Sequence, residues 1–397
     1  MTYDLTVPPE TIDLALRVRA FIDTTVIPRE PDLESGDHGL SPELRRDLQT
    51  AARAAGVFAP TAPPEFGGHG LDHRSMVPVL EECGRSLLGP AAMNCSAPDE
   101  GNMALLERVA TPDQRERYLA PLCAGDIRSS FSMTEPAPGA GADPTLLKTR
   151  AVREGTSWLI SGEKWFITGA DGAAFSIVMA RTDGGATMFL VDADNPGMKI
   201  EQPLNTMDRA VSGGHSRVVF DECRVTPDSV LGEVDKGFEY AQIRLGPARL
   251  THCMRWLGAA RRAHEIAVAY AAERVLFGDR LANLGMAQQM IADNEIDIAA
   301  SRTLIQNAAG ALDAGRPARQ ETSVCKTFVA EAVSRIADRS MQLCGGSGTL
   351  TELPIARILI DGRAFRIYDG PSEVHRMSIA KRAVRRWNDG HLPGDWR

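Results

Sequence analysis

The hydrophobic period of this chain changes twice, and that alternation limits the fold more than any other feature of the sequence. Up to about Gly125 the apolar residues recur at helical spacing, then fall into short strand-like runs separated by turns up to about residue 232, and return to helical spacing from about Gly237. The first stretch predicts helices over residues 11–25, 41–56, 73–86 and 91–109. Ser41-Pro42 places a hydroxyl at an N-cap and proline at the first helical position. Thr111-Pro112-Asp113-Gln114 forms a capping box that opens a helix holding Tyr118 and Leu119, and the Pro- and Gly-rich segment 60–71 reads as loop. The middle stretch predicts strands over 149–152, 158–161, 165–168, 175–180, 187–191 and 215–220, with turns at Glu154-Gly155, Gly162-Glu163 and Asp183-Gly184-Gly185. From Leu250, small and apolar residues at Cys253, Leu257, Ala260, Ala263, Ala267 and Ala271 line one helix face, and further helices are expected over 286–312, 321–343 and 372–387. The expected fold class is therefore α+β, mostly α. An N-terminal helical domain (1–125) precedes a central antiparallel β-barrel (126–235) and a C-terminal four-helix bundle (236–397).

Composition narrows the function. The 397 residues are 43% hydrophobic and 24% charged, which suits a folded globular chain. With 44 Lys+Arg against 52 Asp+Glu the net charge is −8, so a basic footprint for nucleic acid is not expected. No run of 18 apolar residues appears, and Met1-Thr2-Tyr3-Asp4-Leu5 lacks the basic and apolar regions of a signal peptide. The seven cysteines are scattered without a C-x-x-C, which fits reduced thiols, a cytoplasmic location and no metal site.

Individually the candidate chemical sites are modest. Phe131-Ser132-Met133-Thr134-Glu135-Pro136 leads into Gly139-Ala140-Gly141-Ala142-Asp143, which reads as a ligand-approaching loop or simply an interdomain one. It is not a dinucleotide fingerprint, because the full glycine pattern and its helix are missing. Trp165-Phe166-Ile167-Thr168 lies on a strand and could flank a flat heterocycle or fill a core. Arg274-Val275-Leu276-Phe277-Gly278 and Gln342-Leu343-Cys344-Gly345-Gly346 end helices, where an arginine suits the dipole and glycines suit a cap or an approaching pyrophosphate. Asp369, in Tyr368-Asp369-Gly370-Pro371-Ser372-Glu373-Val374-His375, is a helix cap or, if buried against apolar surface, a base.

In this order and spacing the motifs, together with Phe220-Asp221-Glu222-Cys223-Arg224-Val225-Thr226-Pro227 and Gly237-Phe238, resemble the acyl-CoA dehydrogenase family over nearly the whole chain. The resemblance implies non-covalent FAD and α,β-dehydrogenation of an acyl-CoA thioester to the 2-enoyl-CoA, with a carboxylate taking the α proton and the flavin the β hydride. It implies Asp369 as that carboxylate, in place of the family's usual glutamate. Some members carry the base just before an arginine on the first bundle helix. Here that arginine resembles Arg249, and Ala248 precedes it. The resemblance places Phe131, Met133 and Thr134 at one side of the flavin and Phe166, Ile167 and Thr168 at the other. It gives the adenine-nucleotide half to Arg274, Phe277, Gln342, Leu343, Gly345 and Gly346, partly across a subunit interface. Pro371 replaces the family's threonine, with Glu373 still in reach of the flavin. It sets Ala142 (a serine in relatives), Arg249, Tyr368 and Gly370 beside the substrate.

Asn94-Cys95-Ser96-Ala97-Pro98-Asp99-Glu100-Gly101-Asn102-Met103 and the Asp-Gly-Pro-Ser-Glu-Val-His motif resemble the branch fused to kinase-like domains in animals. In relatives the first of these lines the acyl-tail pocket. Asn94, Ser96 and Asp99 are polar there, which suits a branched or hydroxylated acyl group unless they face solvent or cap a helix. The implied partners are an acyl-CoA, an electron-transfer flavoprotein, and further copies of the chain in a homotetramer or homodimer. A flavin oxidase of the same fold (a nitroalkane or acyl-CoA oxidase) and a catalytically silent acyl-CoA-binding oligomer remain as alternatives.

Overall fold

The computed structural model describes residues 6–33, 40–208 and 213–390. Its helices are α1 (Pro9–Phe21), α2 (Pro42–Ala54), α3 (His73–Cys83), α4 (Gly89–Ala92), α5 (Asp99–Val109), α6 (Pro112–Gln114), α7 (Ala120–Cys123), α8 (Gly237–Glu273), α9 (Gly285–Asp313), α10 (Arg319–Cys344), α11 (Pro354–Ala364) and α12 (Ser372–Asn388). Its strands are β1 (Ser129–Ser132), β2 (Arg150–Glu154), β3 (Ser157–Thr168), β4 (Phe175–Arg181), β5 (Ala186–Asp192), β6 (Met198–Leu204), β7 (His215–Val225), β8 (Val230–Leu231), β9 (Val275–Leu276) and β10 (Asp279–Arg280). They fall into two compact units. One is built from residues 28–71 and 91–248, the other from 1–27, 72–90 and 249–397.

The first unit holds an eight-stranded sheet. Seven strands run in the order β6-β7-β3-β2-β4-β5-β8, and β1 pairs with β4. Most neighbours are antiparallel, as expected. The β1–β4 pair and the single β2–β4 contact at Arg150 and Arg181 are parallel, and among the described residues no pairing joins β6 to β8. Alternation along the strands turns Trp158, Ile160, Ile167, Val178, Phe189, Val191, Val218 and Phe220 into one buried cluster. Ser41 accepts from Leu44 N at the start of α2, and Thr111 with Gln114 forms the capping box at α6, both as their sequences specify.

The elements depart from expectation in several places, mostly for local reasons. The two short strands expected around Gly162 are one, β3. Gly162 takes φ +151°, and a Cβ there would sit 2.6 Å from Thr149 Cα, so the glycine serves a close backbone approach rather than a turn. The helix expected over 91–109 breaks after α4. Asn94 adopts φ +52°, and Pro98 denies its predecessor helical geometry. β1 (Ser-Ser-Phe-Ser) carries no β-branched residue to announce it, and β6 contains Pro203 at its end. α11 was not expected from periodicity and lies between the bundle and Asp369.

In the second unit, α8 from Arg249 onward, α9, α10 and α12 are the four long helices of the expected bundle, joined by α11 and flanked by α1 and α3. Ala259, Ala263, Ala267, Ala287, Ala337, Leu343, Ile355 and Ile358 form its small-residue core. Small side chains permit close packing: a Cβ on Gly258 would fall 1.9 Å from Glu81 O of α3. The Glu81 carboxylate beside this crossing accepts from Arg261 Nη1 at 2.7 Å and from Arg302 Nε at 2.9 Å.

Candidate active site

In the first unit the expected flavin residues lie on a hydrogen-bonded loop and beside an exposed aromatic. β1 ends at Ser132, whose hydroxyl lies 2.6 Å from that of Ser176 on β4. Immediately beyond, Met133 and Thr134 are half-buried, and Thr134 O accepts from Trp165 N at 2.8 Å. Glu135 then turns inward. Its carboxylate accepts from Ala140 N (3.1 Å), Lys148 N (2.7 Å), Thr149 N (2.8 Å) and Lys164 Nζ (2.9 Å). Lys164, fully buried, also donates to Met133 O at 3.1 Å, so one ammonium ties β3 to the backbone of the Met133–Thr134 edge. The ammonium holds the Glu135 carboxyl down at about 2, while burial brings Lys164 down to about 8. Between these values both groups are charged.

The pairing of β3 with β7 slips between Lys164 and Ile167. In that slip Phe166 adopts φ +55° and is 53% exposed, whereas Ile167 faces the sheet core. Thr168 Oγ1 meets His215 Nδ1 at 2.9 Å, and His215 Nε2 meets Asp208 at 2.8 Å. Phe131 lies under the Arg244 guanidinium, 4.0 Å from ring centre to carbon, and Arg244 Nε donates to Asn102 Oδ1 at 2.8 Å.

The polar residues expected near an acyl tail are arranged differently from one another. Asn94 is buried and gives its amide to Leu122 O and Cys123 O at 3.0 and 3.1 Å. Asp99 is buried and accepts from Ser129 N and Oγ at 2.8 and 2.7 Å, while desolvation raises its carboxyl above the usual range. These two neither face solvent nor act as simple helix caps. Ser96 is half-buried, and Ala142 is exposed on the loop beyond Glu135.

In the helical unit Asp369 sits in the short link between α11 and α12 with φ +53°, followed by Gly370 at φ +100°. Left-handed backbone at a residue bearing a side chain is held only when its surroundings insist. Here three helices do so. From α8, Arg249 Nε donates to Asp369 O at 2.7 Å. From α12, His375 Nε2 lies 3.3 Å from the same oxygen. From α10, Lys326 Nζ donates to Phe365 O at 2.7 Å and Gly370 O at 2.9 Å. Burial, with Arg249 and Lys326 nearby, lowers His375 to about 4, so it is a neutral donor at physiological pH. Burial lowers Lys326 to about 8. The Asp369 carboxylate, 20% exposed, has His252 Nε2 of α8 at 3.3 Å from Oδ2. Behind it Tyr368, Phe365 and Trp256 form an aromatic wall, with Trp256 Nε1 donating to the Tyr368 hydroxyl.

Gly370 is the tightest point of this link, since a Cβ there would lie 2.8 Å from His375 Nε2. Gly370→Ala is expected to lose about 1–3 kcal/mol of stability. A urea midpoint unchanged from the parent chain would show that the link relaxes freely.

The remaining expected cofactor residues spread along the helical unit. Arg274 follows α8 and is exposed, and Phe277, 94% exposed at φ +51°, tips the β9–β10 hairpin. Gln342 is exposed at the end of α10, whereas Leu343 is packed in the bundle core. Gly345 (φ +55°) and Gly346 are exposed, and a Cβ on either would touch nothing within 4 Å, so bare backbone faces outward there. Pro371 is half-buried as the N-cap of α12, and Glu373 is exposed in its first turn. Each unit by itself carries features that suit part of a flavin dinucleotide: in the sheet unit a backbone edge held by Glu135 and Lys164 with a projecting Phe166, and in the helical unit an open diglycine at a helix end.

Sequence reasoning did not assign His252, Lys326 or His375 to this site. His375 stood within the quoted motif. His252 is one turn beyond Arg249 on the same helix, a spacing that puts both on one face. Lys326 reaches the link from α10, and no local pattern announces it.

Three domain models of the acyl-CoA dehydrogenase family match the chain: the N-terminal domain over residues 8–126, the middle domain over 130–223 and the C-terminal domain over 235–384. A Mycobacterium tuberculosis protein named "Probable acyl-CoA dehydrogenase FadE2" is 36% identical over 401 residues, covering 96% of this chain and 97% of its own. Acyl-CoA dehydrogenase family member 11 of Gallus gallus is 34% identical over 391 residues, and this chain spans 50% of its length. The structure of a glutaryl-CoA dehydrogenase from Mycobacterium smegmatis in complex with FADH2 superposes with a TM-score of 0.86 at 27% identity, covering 96% of this chain and 95% of that one. Among the described residues no helix is long and apolar enough to cross a membrane. Family models spanning nearly the entire length, and a relative aligned almost end to end, make this chain a member of the acyl-CoA dehydrogenase family, an FAD-dependent oxidoreductase.

Proposed function

We propose that the chain dehydrogenates an acyl-CoA at its α and β carbons with Asp369 as the base for the α proton. The observation that carries this reading is the Asp369 carboxylate itself, presented from a left-handed link whose backbone is clamped by Arg249, Lys326 and His375. Spending two buried polar side chains, Lys326 and His375, and the half-buried Arg249 on two consecutive peptide units is costly unless their geometry matters. FAD, when bound, supplies the two-electron acceptor for the hydride that leaves Cβ.

The roles of the chain's own groups follow from their chemistry. Asp369 takes the α proton onto a carboxylate oxygen. Its backbone N–H, held by the same clamp, is offered to the thioester oxygen as charge develops there. Met133, Thr134 and Phe166 would hold the flavin ring system, and Thr168 would add a hydroxyl oriented by His215. Gly345 and Gly346 would admit the pyrophosphate, and the exposed Arg274 and Phe277 would hold the adenine half across a subunit interface. The same reading takes the protein as a homodimer or homotetramer, with an electron-transfer flavoprotein as acceptor.

Asn94 spends its amide N–H groups on backbone and Asp99 one carboxylate oxygen on Ser129, so the expectation of a branched or hydroxylated acyl chain rests on Ser96 and on the second oxygen of each. Anaerobic titration of the FAD-loaded protein with straight, branched and hydroxylated acyl-CoAs is expected to bleach the flavin, most completely with the last two classes. If straight saturated chains do equally well, the preference is wrong. If no acyl-CoA bleaches it, the whole reading is wrong. Reoxidation by oxygen as fast as by an electron-transfer flavoprotein would move the assignment to an oxidase of the same fold.

A further inference from the structure

We infer that His252 is a positioning residue for Asp369, donating from Nε2 to the carboxylate and holding it ionised and aimed. The inference deepens the reading of Asp369 as the base and rests on it.

One helix face supplies both contacts. Arg249 takes the backbone oxygen of Asp369, and His252, three residues further along α8, reaches the side chain of the same residue, 3.3 Å from Oδ2. The second ring nitrogen settles the tautomer. Arg255 Nη2 lies 3.3 Å from His252 Nδ1, and a guanidinium has only donors. Nδ1 therefore accepts, and the proton is on Nε2, facing Asp369. The imidazole has little freedom to turn away. Its side chain is 12% exposed, with the Tyr368 ring 5.0 Å and the Phe365 ring 6.2 Å from it. A donor aimed at a carboxylate favours its charged form and fixes its rotamer. Catalytic hydrogen bonds are commonly long without substrate and tighten when it binds.

The charged and titratable groups that face Asp369 are Arg249 from α8, Lys326 from α10 and His375 from α12, and those that face His252, Lys326 and His375 in turn are Arg255 from α8, Glu331 from α10 and Arg382 from α12. All of them are retained when His252 alone is changed, so the difference between variant and parent reports His252. The test is the rate of anaerobic flavin reduction by a bleaching acyl-CoA, measured against pH in FAD-loaded protein. His252→Leu removes the donor. His252→Gln returns an amide N–H close to the place of Nε2. In His252→Leu the acid limb is expected to move up by at least about half a pH unit, a rate about threefold lower at any pH on that limb. Substrate affinity from the same titration is expected to stay within about twofold of the parent. His252→Gln is expected to bring the limb back toward its original position.

An acid limb in His252→Leu that coincides with the parent, or one that His252→Gln does not move back at all, would overturn the inference. If His252→Leu fails to take up FAD, His252→Gln against the shorter His252→Asn decides the matter, because only the longer amide reaches the carboxylate. Asp369→Asn separates the two levels of argument. If that variant still bleaches, the base assignment fails and this inference falls with it. If it is inert while His252→Leu keeps the parent limb, only the role of His252 is lost.

Discussion

Asp369→Asn will retain FAD and lose reduction of the flavin by acyl-CoA under anaerobic conditions. Asparagine keeps the size and shape of the side chain. It also keeps the backbone carbonyl that accepts from Arg249 and His375, so the clamp on the α11–α12 link is intact. What disappears is basicity. A positioned general base contributes about 100- to 10,000-fold, and the single-turnover bleaching rate is expected to fall by that factor. The absorbance of the oxidised flavin and the binding of a non-reacting acyl-CoA serve as controls for folding and affinity. Undiminished bleaching would place the base elsewhere, although Ala248, the residue before Arg249, offers no carboxylate there.

The second large effect is structural. Lys164→Met will destabilise the sheet unit by about 3–5 kcal/mol, the cost of leaving a buried carboxylate without its cation. Glu135 retains its three backbone donors, from Ala140, Lys148 and Thr149, but no positive charge beside them. Replacing both residues, as Glu135→Gln with Lys164→Met, is expected to recover part of the loss, because the uncompensated charge goes too. The pH dependence has a definite sign. The Glu135 carboxyl is depressed to about 2, so its stabilisation is complete above the ordinary carboxylate range and is lost as pH falls toward that value. Without Lys164 the depression shrinks, and the acid-induced loss begins at higher pH. Urea unfolding followed by tryptophan fluorescence at neutral and acid pH measures both effects. A midpoint within experimental error of the parent would show that water or a shifted loop replaces the ammonium. Because Lys164 also donates to Met133 O, the same variant is expected to bind FAD more weakly.

The pair shows why a motif read as a string of contacts is incomplete. Phe131-Ser132-Met133-Thr134-Glu135-Pro136 and Trp165-Phe166-Ile167-Thr168 were legible as motifs, and residues of both were assigned to the flavin. The side chains that hold them are Glu135 and Lys164, which touch each other across about thirty residues of chain. At the other end of the molecule the same holds for Asp369. Its identity and its Gly370-Pro371 setting are visible locally, whereas the groups that hold it come from three helices.

The sequence by itself determined the order helix, strand, helix, because apolar periodicity records which face of each element is buried. It determined the caps at Ser41 and Thr111, because a cap is satisfied within four residues. It also determined the family, because the motifs keep their order and spacing along the chain. Tertiary structure alone decided that Gly162 continues a strand, that Asn94 and Asp99 turn inward, and that Arg249, His252, Lys326 and His375 converge on the Asp369-Gly370 link. The physical reason is range. Periodicity and capping are interactions among neighbours in sequence, whereas a buried charge or a strained peptide unit is stabilised by whichever distant side chain folding brings within about 3 Å.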